Sequence, residues 1–291
     1  MTLLAPAPFI VGVERSGTTL LRLMLDSHPD LAIPFETHFL HRLVAAPPGL
    51  TAAGFLDLVT ASPSWPNLGV PQDRLATALA MLSPFSAAEG ARAFYRLAAA
   101  RSGKPRWGDK TPPYLRCMPA IARLLPEARF VHLIRDGRDA ALSSRGLWFG
   151  LGDDPRAAAR AWMAQIVQAR NDARLLPHYL EVRYEDLVLD PEATLTRICS
   201  FLDLPFDAAM LDYHRTAGAR LAEVVRPFGR GEAATFSPQD FVAIHERTQQ
   251  PPDAGRVERW RRELPAADLK RFERVAGKLL RSLGYETGAT R

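Results

Sequence analysis

Residues Phe9–Thr37 read FIVGVERSGTTLLRLMLDSHPDLAIPFET: a buried strand, a glycine-bounded loop, a helix and a short return toward a second strand. Phe9, Ile10 and Val11 form an apolar run of the length of a parallel strand. Gly12–Thr19 (GVERSGTT) follows at once, and Leu20, Leu21, Met24 and Leu25 then recur at helical spacing. A glycine loop that opens a helix after a strand is built to hold an anion. Its first N–H groups have no helical partners, and the helix dipole favours negative charge there. Arg15 adds a positive charge, and Ser16, Thr18 and Thr19 add hydroxyl donors. The stretch predicts a phosphate cradle; the plainer alternative is a tight strand-to-helix turn with no ligand.

The loop nearly matches G-x-x-x-x-G-K-[ST] of the nucleotide hydrolases, but Thr18 stands where the lysine for the β- and γ-phosphates belongs. Without that lysine the loop suits a single phosphate such as the 5′-phosphate of a nucleotide. A second element, Phe130–Arg145 (FVHLIRDGRDAALSSR), has Arg135 directly after a strand and Ser143 within the following helix. A hydrolase would prefer an aspartate at that strand end to hold Mg²⁺. A cation there favours a second phosphate over a metal. Asp136 and Asp139 read as helix-start caps, and Arg138 reads as a surface charge.

The 291 residues are 47% hydrophobic and 24% charged, ordinary for a globular chain, with a net charge of +5 that favours an anionic ligand. The arginines are scattered, and no basic face with interleaved aromatics suggests nucleic acid. The two cysteines, Cys117 and Cys199, sit in apolar helical patterns and are expected as reduced, buried thiols. No ligand spacing for a metal stands out. The N-terminal MTLLAPAPF lacks the features of a signal peptide, and no apolar run is long enough to span a membrane, so the expectation is a soluble cytoplasmic protein. The sequence leaves the oligomeric state open.

A single domain over residues 1–291 is expected. Glu36–Leu43 reads as a short helix, residues 45–102 as a helical insertion suited to a substrate lid, and Arg106–Pro112 as the return to the sheet. Helices follow at Asp139–Gly146, Pro155–Leu175 (capped by Asp153 or Asp154), Asp190–Leu202 and Pro265–Leu283, with a strand at Tyr179–Tyr184. Residues 213–262 are expected largely as loops closing over the site. Strands separated by helices imply an α/β fold of P-loop type in three layers, a central parallel sheet flanked by helices. Ligands of such folds bind beyond the carboxyl ends of the strands, where both phosphate-binding elements fall.

With these two elements in place the chain resembles the PAPS-dependent sulfotransferase family (PAPS is 3′-phosphoadenosine 5′-phosphosulfate). In that family an R-x-G-T-T loop binds the 5′-phosphosulfate end of the donor, here Arg15, Ser16, Gly17, Thr18 and Thr19. A later strand followed by Arg, with Ser eight residues on, binds the 3′-phosphate, here Arg135 and Ser143. Gly12–Thr37 is most similar to the tyrosylprotein sulfotransferase branch, which shares R-S-G-T-T, an H-P turn and an E-T pair. Lys110-Thr111-Pro112 is similar to an element of carbohydrate sulfotransferases. Tyr184-Glu185-Asp186-Leu187 is similar to an element near the adenine, and Gly255–Trp260 to the basic loop over the 3′-phosphate, which makes Arg259 a candidate ligand.

The resemblance implies that Glu36 is the general base that takes the acceptor hydroxyl's proton; the alternative reading is a helix-capping carboxylate. His38 is the next candidate base. Arg15, the Gly17–Thr19 loop and Lys110 are implied to stabilise charge on the leaving phosphate, and Lys110 pairing with Asp109 at the surface is the alternative. No metal is implied. Phe35 replaces a second acidic residue of the tyrosylprotein pattern, so the acceptor stays open among a peptide tyrosine, a carbohydrate, a lipid and a natural-product hydroxyl. His38, Arg42 and the arginines between Arg215 and Arg230 either meet an anionic acceptor or face solvent. Two rivals stand: a P-loop kinase or hydrolase with a degenerate loop, and a non-catalytic nucleotide-binding protein.

Overall fold

The computed structural model describes residues 4–229 and 235–288. β1 (Ala7–Val11) leads through the glycine loop into α1 (Thr18–Asp26) and a short β2 (Leu31–Ala32). After α2 (Leu40–Leu43) come the helices of the expected insertion, α3 (Ala52–Thr60), α4 (Trp65–Leu68), α5 (Gln72–Ala80) and α6 (Ala87–Ala100). The chain returns through β3 (Arg106–Trp107) and β4 (Asp109–Lys110), then α7 (Met118–Leu124), β5 (Ala128–Ile134), α8 (Gly137–Ser144), α9 (Pro155–Ala173) and β6 (Tyr179–Arg183). The remainder is α10 (Tyr184–Leu189), α11 (Pro191–Phe201), α12 (His214–Leu221), the antiparallel pair β7 (Phe228–Gly229) and β8 (Thr235–Phe236), α13 (Pro238–His245), α14 (Trp260–Glu263) and α15 (Ala266–Ser282).

The central sheet has the order β4-β1-β5-β6, every pair parallel. Its register sets Ile10 opposite Lys110, Val11 opposite His132 and Ile134 opposite Arg183. Side chains alternate between the two faces. Phe9, Val11 and Phe130 pack with Phe55, Phe94 and Tyr95 of the insertion. Ile10, Val131 and Leu133 pack with Leu21, Met24 and Leu25 of α1 and with α11. A third cluster joins Val13 and Ile134 to Trp162 of α9 and to Phe272 and Leu280 of α15. Phe9 is fully buried; truncating such a ring to alanine costs about 3–5 kcal/mol. This is the expected three-layer α/β fold. The insertion is part of its core rather than an appendage beside the sheet.

Local signals set most boundaries. Asp154 accepts from Ala157 N and Pro155 fills the first turn of α9; Asp190 and Pro191 do the same for α11. Three expectations change. Residues 36–39 are not helical, because the Thr37 hydroxyl is drawn out to Asp109 Oδ2 at 2.7 Å and His38 takes a left-handed φ of 49°. Glu36 therefore caps nothing. Residues 213–262 include α12 and α13 rather than loops alone. α13 opens with a reciprocal capping box between Ser237 and Asp240. Arg138 is not a surface charge. It is 1% exposed, forks onto Asp136, reaches Glu273 at 2.5 Å and lies 3.5 Å over the Trp260 ring. Of the thiols, Cys199 is buried as expected and Cys117 half-buried, and both are unbridged.

Candidate active site

All four strands of the central sheet deliver residues to one cavity of about 1040 Å³ at their carboxyl ends. The loop after β1 supplies Arg15 and Gly17–Thr19. β5 leads into Arg135 and β6 into Tyr184, both on the wall, and β4 ends on Lys110, just beneath lining residues Thr19 and Glu36.

The loop after β1 is shaped by its glycines. A Cβ on Gly12 would come within 2.6 Å of Leu133 O. Gly17 has φ 93°, and a Cβ there would lie 2.4 Å from the Tyr184 ring. Gly17 also caps α1, with no side chain satisfying the first N–H groups. Those donors are left for a ligand. Arg15, itself at φ 68°, sends Nε to Ser143 Oγ at 3.2 Å and Nη2 to Ile244 O at 3.1 Å. The carbonyl of Arg15 accepts from Arg135 Nη1 at 3.2 Å. The Arg135 guanidinium lies 4.4 Å from the Tyr184 ring centre. The two phosphate-binding elements read from the sequence are thus tied together.

Positive charge is concentrated here. Burial, then the nearby charges of Arg135 and Arg256, lower the Arg15 pKa to about 10. Burial and the neighbouring arginines Arg259 and Arg135 also lower that of Arg256, which lines the cavity. Ser16 Oγ and Arg135 Nε are buried without a hydrogen-bond partner. Orphaned donors among crowded cations fit a bound anion better than a closed structural turn. Arg259 is not brought to the wall. It forks onto Glu263 with bonds of 2.9 and 2.5 Å, and Arg256, one 3₁₀ turn earlier, takes the place in the cavity.

At the other end Glu36 lines the cavity with both carboxylate oxygens engaged. Oε1 accepts from Lys110 Nζ, and Oε2 lies 2.9 Å from His38 Nε2. Burial favours the neutral carboxyl, but the charge of Lys110 and the bonds from His38 and Lys110 outweigh it and hold the pKa well below the usual carboxylate range. Lys110 is 1% exposed; burial pulls its pKa down and Glu36 partly offsets this. It pairs with Glu36, not with Asp109. Asp109 instead accepts from Thr37 and from Tyr95 at 2.9 Å, while Tyr114 OH joins Thr37 at 2.8 Å and accepts from Leu40 N at 2.9 Å. This buried network pins the segment that carries Glu36 and His38.

A model described as the Sulfotransferase family matches residues 6–208, a span that holds the glycine loop, Glu36, Lys110, Arg135, Ser143 and Tyr184. The chain belongs to the sulfotransferase family. It is 27% identical over 295 residues to Protein-tyrosine sulfotransferase A of Caenorhabditis elegans, covering 98% of this chain and 68% of that one. It is likewise 27% identical over 291 residues to Protein-tyrosine sulfotransferase 1 of Danio rerio, covering 98% and 73%. The solved sulfotransferase domain from the Synechococcus PCC 7002 olefin synthase shares the fold with a TM-score of 0.61 at 24% identity over 98% of both chains. The domain from the curacin biosynthetic pathway does so at 0.58 and 20% identity, over 98% of this chain and all of that one.

Two lining residues of this sulfotransferase lay outside the sequence reading as site residues. His245, at the end of α13, places Nε2 3.1 Å from Thr19 Oγ1. Arg256 was recognisable only as one charge among several. Of the arginines considered for an acceptor, Arg42 lines the cavity. Arg215 pairs with Asp212, Arg220 pairs with Asp26 and Glu223, and Arg230 lies outside the described residues. Among the described residues no three His, Cys, Asp or Glu side chains gather as a metal site, and no helix is long and apolar enough to cross a membrane.

Proposed function

We propose that this sulfotransferase moves a sulfuryl group from PAPS to an acceptor hydroxyl, with Glu36 as the general base. The observation that carries the reading is Glu36, ionised against Lys110, on the wall of the cavity that also holds Arg15, Arg135 and Arg256. The free N–H groups at Gly17–Thr19, with Arg15 and Ser16, would hold the donor's 5′ end. Arg135, Ser143 and Arg256 would hold the 3′-phosphate, beside the Tyr184 ring. In the transfer an acceptor O–S bond forms as the S–O bond to the leaving phosphate breaks, and the acceptor proton passes to the Glu36 carboxylate. A carboxylate held this far below its usual range is a weak base at rest. The acceptor oxygen becomes strongly acidic as it bonds to sulfur, so the proton moves late and downhill. The cations and N–H dipoles of the loop offset charge growing on the leaving phosphate.

His38 lines the cavity and hydrogen-bonds Glu36, so Glu36 orienting His38 as the base is the alternative within the same reaction. His38→Ala separates the two: it abolishes transfer if His38 is the base and only slows it if Glu36 is. The relatives' names make a tyrosine phenol the first acceptor to try, ahead of sugar, lipid and natural-product hydroxyls. The reading is tested by incubating the protein with ³⁵S-labelled PAPS and such a panel. Labelled product and tight binding of adenosine 3′,5′-bisphosphate support it. Tight binding of ATP–Mg²⁺ without that bisphosphate would replace it with the kinase or hydrolase reading, and bisphosphate binding without transfer would favour a binding protein.

A further inference from the structure

His245 stands where the loop after β1 meets α13. Its Nδ1 lies 2.9 Å from Phe241 O, a carbonyl that only accepts, so Nδ1 carries the proton and Nε2 a lone pair. The 3.1 Å contact to Thr19 is then a bond donated by the Thr19 hydroxyl to Nε2. That leaves the lone pairs of Thr19 Oγ1 for Lys110 Nζ at 3.3 Å, and Lys110 in turn holds Glu36. Lys110 therefore donates in two directions, one way through Thr19 and His245 to the Phe241 carbonyl and the other way to the Glu36 carboxylate. Of the charged groups that act on His245, Arg15 and Lys110 are donors, and the Glu36 carboxylate is engaged by Lys110 and His38. A hydroxyl among donors has no fixed direction unless one neighbour accepts, and His245 is that neighbour. Burial, then the charges of Arg15 and Lys110, push its pKa down to about 3, so the ring stays an acceptor at neutral pH. Position is fixed as well: Arg15 Nη2 binds the adjacent Ile244 O at 3.1 Å, and the Phe241 ring lies 4.4 Å from the imidazole.

We propose that His245 is a positioning residue for sulfuryl transfer, setting the direction of the Thr19 hydroxyl and through it the seat of Lys110 against Glu36. The inference rests on the sulfotransferase reading above. It assigns a task to a residue beyond the span that the family model matches. His245 acts through Thr19 and not on the reacting atoms, so its loss should lower turnover more than donor affinity.

His245→Phe keeps a ring beside Phe241 and removes the acceptor. His245→Gln keeps an acceptor oxygen. Conversion of PAPS to adenosine 3′,5′-bisphosphate is followed with 4-nitrophenol, N-acetyltyrosinamide and water as sulfuryl acceptors, and bisphosphate affinity by calorimetry. His245→Phe is expected to lower kcat about tenfold, the effect of ~1.4 kcal/mol, with Kd changed less than about twofold. His245→Gln should recover most of the loss. Thr19→Val should lower kcat, and adding His245→Phe to it should cost about twofold or less, because the two act as one unit. Wild-type kcat in His245→Phe, or losses that multiply in the double variant, would overturn the inference while the sulfotransferase reading stands. A wild-type protein that converts PAPS no faster than solution overturns both. Should His245→Phe not fold, His245→Gln with Thr19→Val decides: His245→Gln must keep near-wild-type turnover while Thr19→Val loses it, and the opposite order overturns the inference.

Discussion

Replacing Lys110 by methionine removes the cation while keeping most of the side-chain volume, and the structure specifies two consequences. Lys110 is 1% exposed and its ammonium donates to Glu36 and Thr19. Breaking a buried pair by removing one partner costs about 3–5 kcal/mol. Here the remaining carboxylate keeps His38 as a partner and has an 18% exposed side chain at the cavity, so the lower end, about 3 kcal/mol, is expected. The second consequence concerns protonation. Two unit charges about 4 Å apart attract by about 4 kcal/mol at an effective dielectric of 20. In the wild type this attraction, with the bonds from His38 and Lys110, overcomes a burial effect that acts the other way. Without Lys110, burial is opposed by His38 alone and the Glu36 pKa rises. Wild-type kcat should therefore show no acid limb from Glu36 above about pH 5, whereas Lys110→Met should show one, with activity lost as pH falls. The assay is kcat against pH from single-turnover transfer of labelled sulfate, alongside a thermal melt at pH 7. An unchanged pH profile in a folded Lys110→Met protein would refute the electrostatic account of Glu36.

Gly17→Ala would force a Cβ to 2.4 Å from the Tyr184 ring at φ 93°; about 2–3 kcal/mol of stability should be lost, with bisphosphate affinity falling at least about tenfold by calorimetry. Arg256→Ala should weaken bisphosphate binding about tenfold, and Arg259→Ala, whose guanidinium is occupied by Glu263, less than about twofold; the reverse order would restore Arg259 as the ligand. Stability should fall as pH drops from 7 to 5. His132, bonded through Nδ1 to Tyr179 at 2.6 Å, and His245 are held neutral by burial, with pKa values of about 4 and 3. Between those values and the unfolded 6.5 the unfolded chain binds more protons, which costs up to ~1.4 kcal/mol per pH unit for each group. Asp109, raised to about 6 by burial, opposes this only below that pH, because its stabilising proton is bound at low pH and lost as pH rises through 6. His132→Gln should flatten the dependence of melting temperature on pH; an equally steep curve would show that His132 is not a source of it.

The parts of this protein that were legible in the sequence are those whose causes are local. The run Phe9–Val11, the glycines of the next loop and the apolar spacing of α1 are contiguous, and Arg135 and Ser143 lie only eight residues apart. The caps of α9 and α11 are likewise written in two adjacent residues. What stayed hidden depends on partners far along the chain. Glu36 and Lys110 were both candidates, yet nothing between them announces that they pair. Thr37 leaves the helical pattern for Asp109, Tyr95 and Tyr114, and that pull appears only once β4, α6 and the turn at Tyr114 come together. Arg138 looked like surface charge because Trp260 and Glu273, which enclose it, lie more than a hundred residues away. His245 was one histidine among seven. The capping box at Ser237 and Asp240 was the signal that a helix would deliver it somewhere definite. The sequence favours Arg259 over Arg256, because nothing before the fold shows that Glu263, one turn on in a short helix that begins at an irregular loop, holds the Arg259 guanidinium.

The central claim is that Glu36 takes the proton in a transfer for which other residues bind the donor. Its most direct test is Glu36→Gln, which keeps the shape and removes the base. With ³⁵S-labelled PAPS and the acceptor the wild type uses best, single-turnover transfer should fall at least about a hundredfold, while the Kd for adenosine 3′,5′-bisphosphate stays within about threefold of wild type. Transfer by Glu36→Gln at the wild-type rate, in a protein that binds the bisphosphate normally, would contradict the claim.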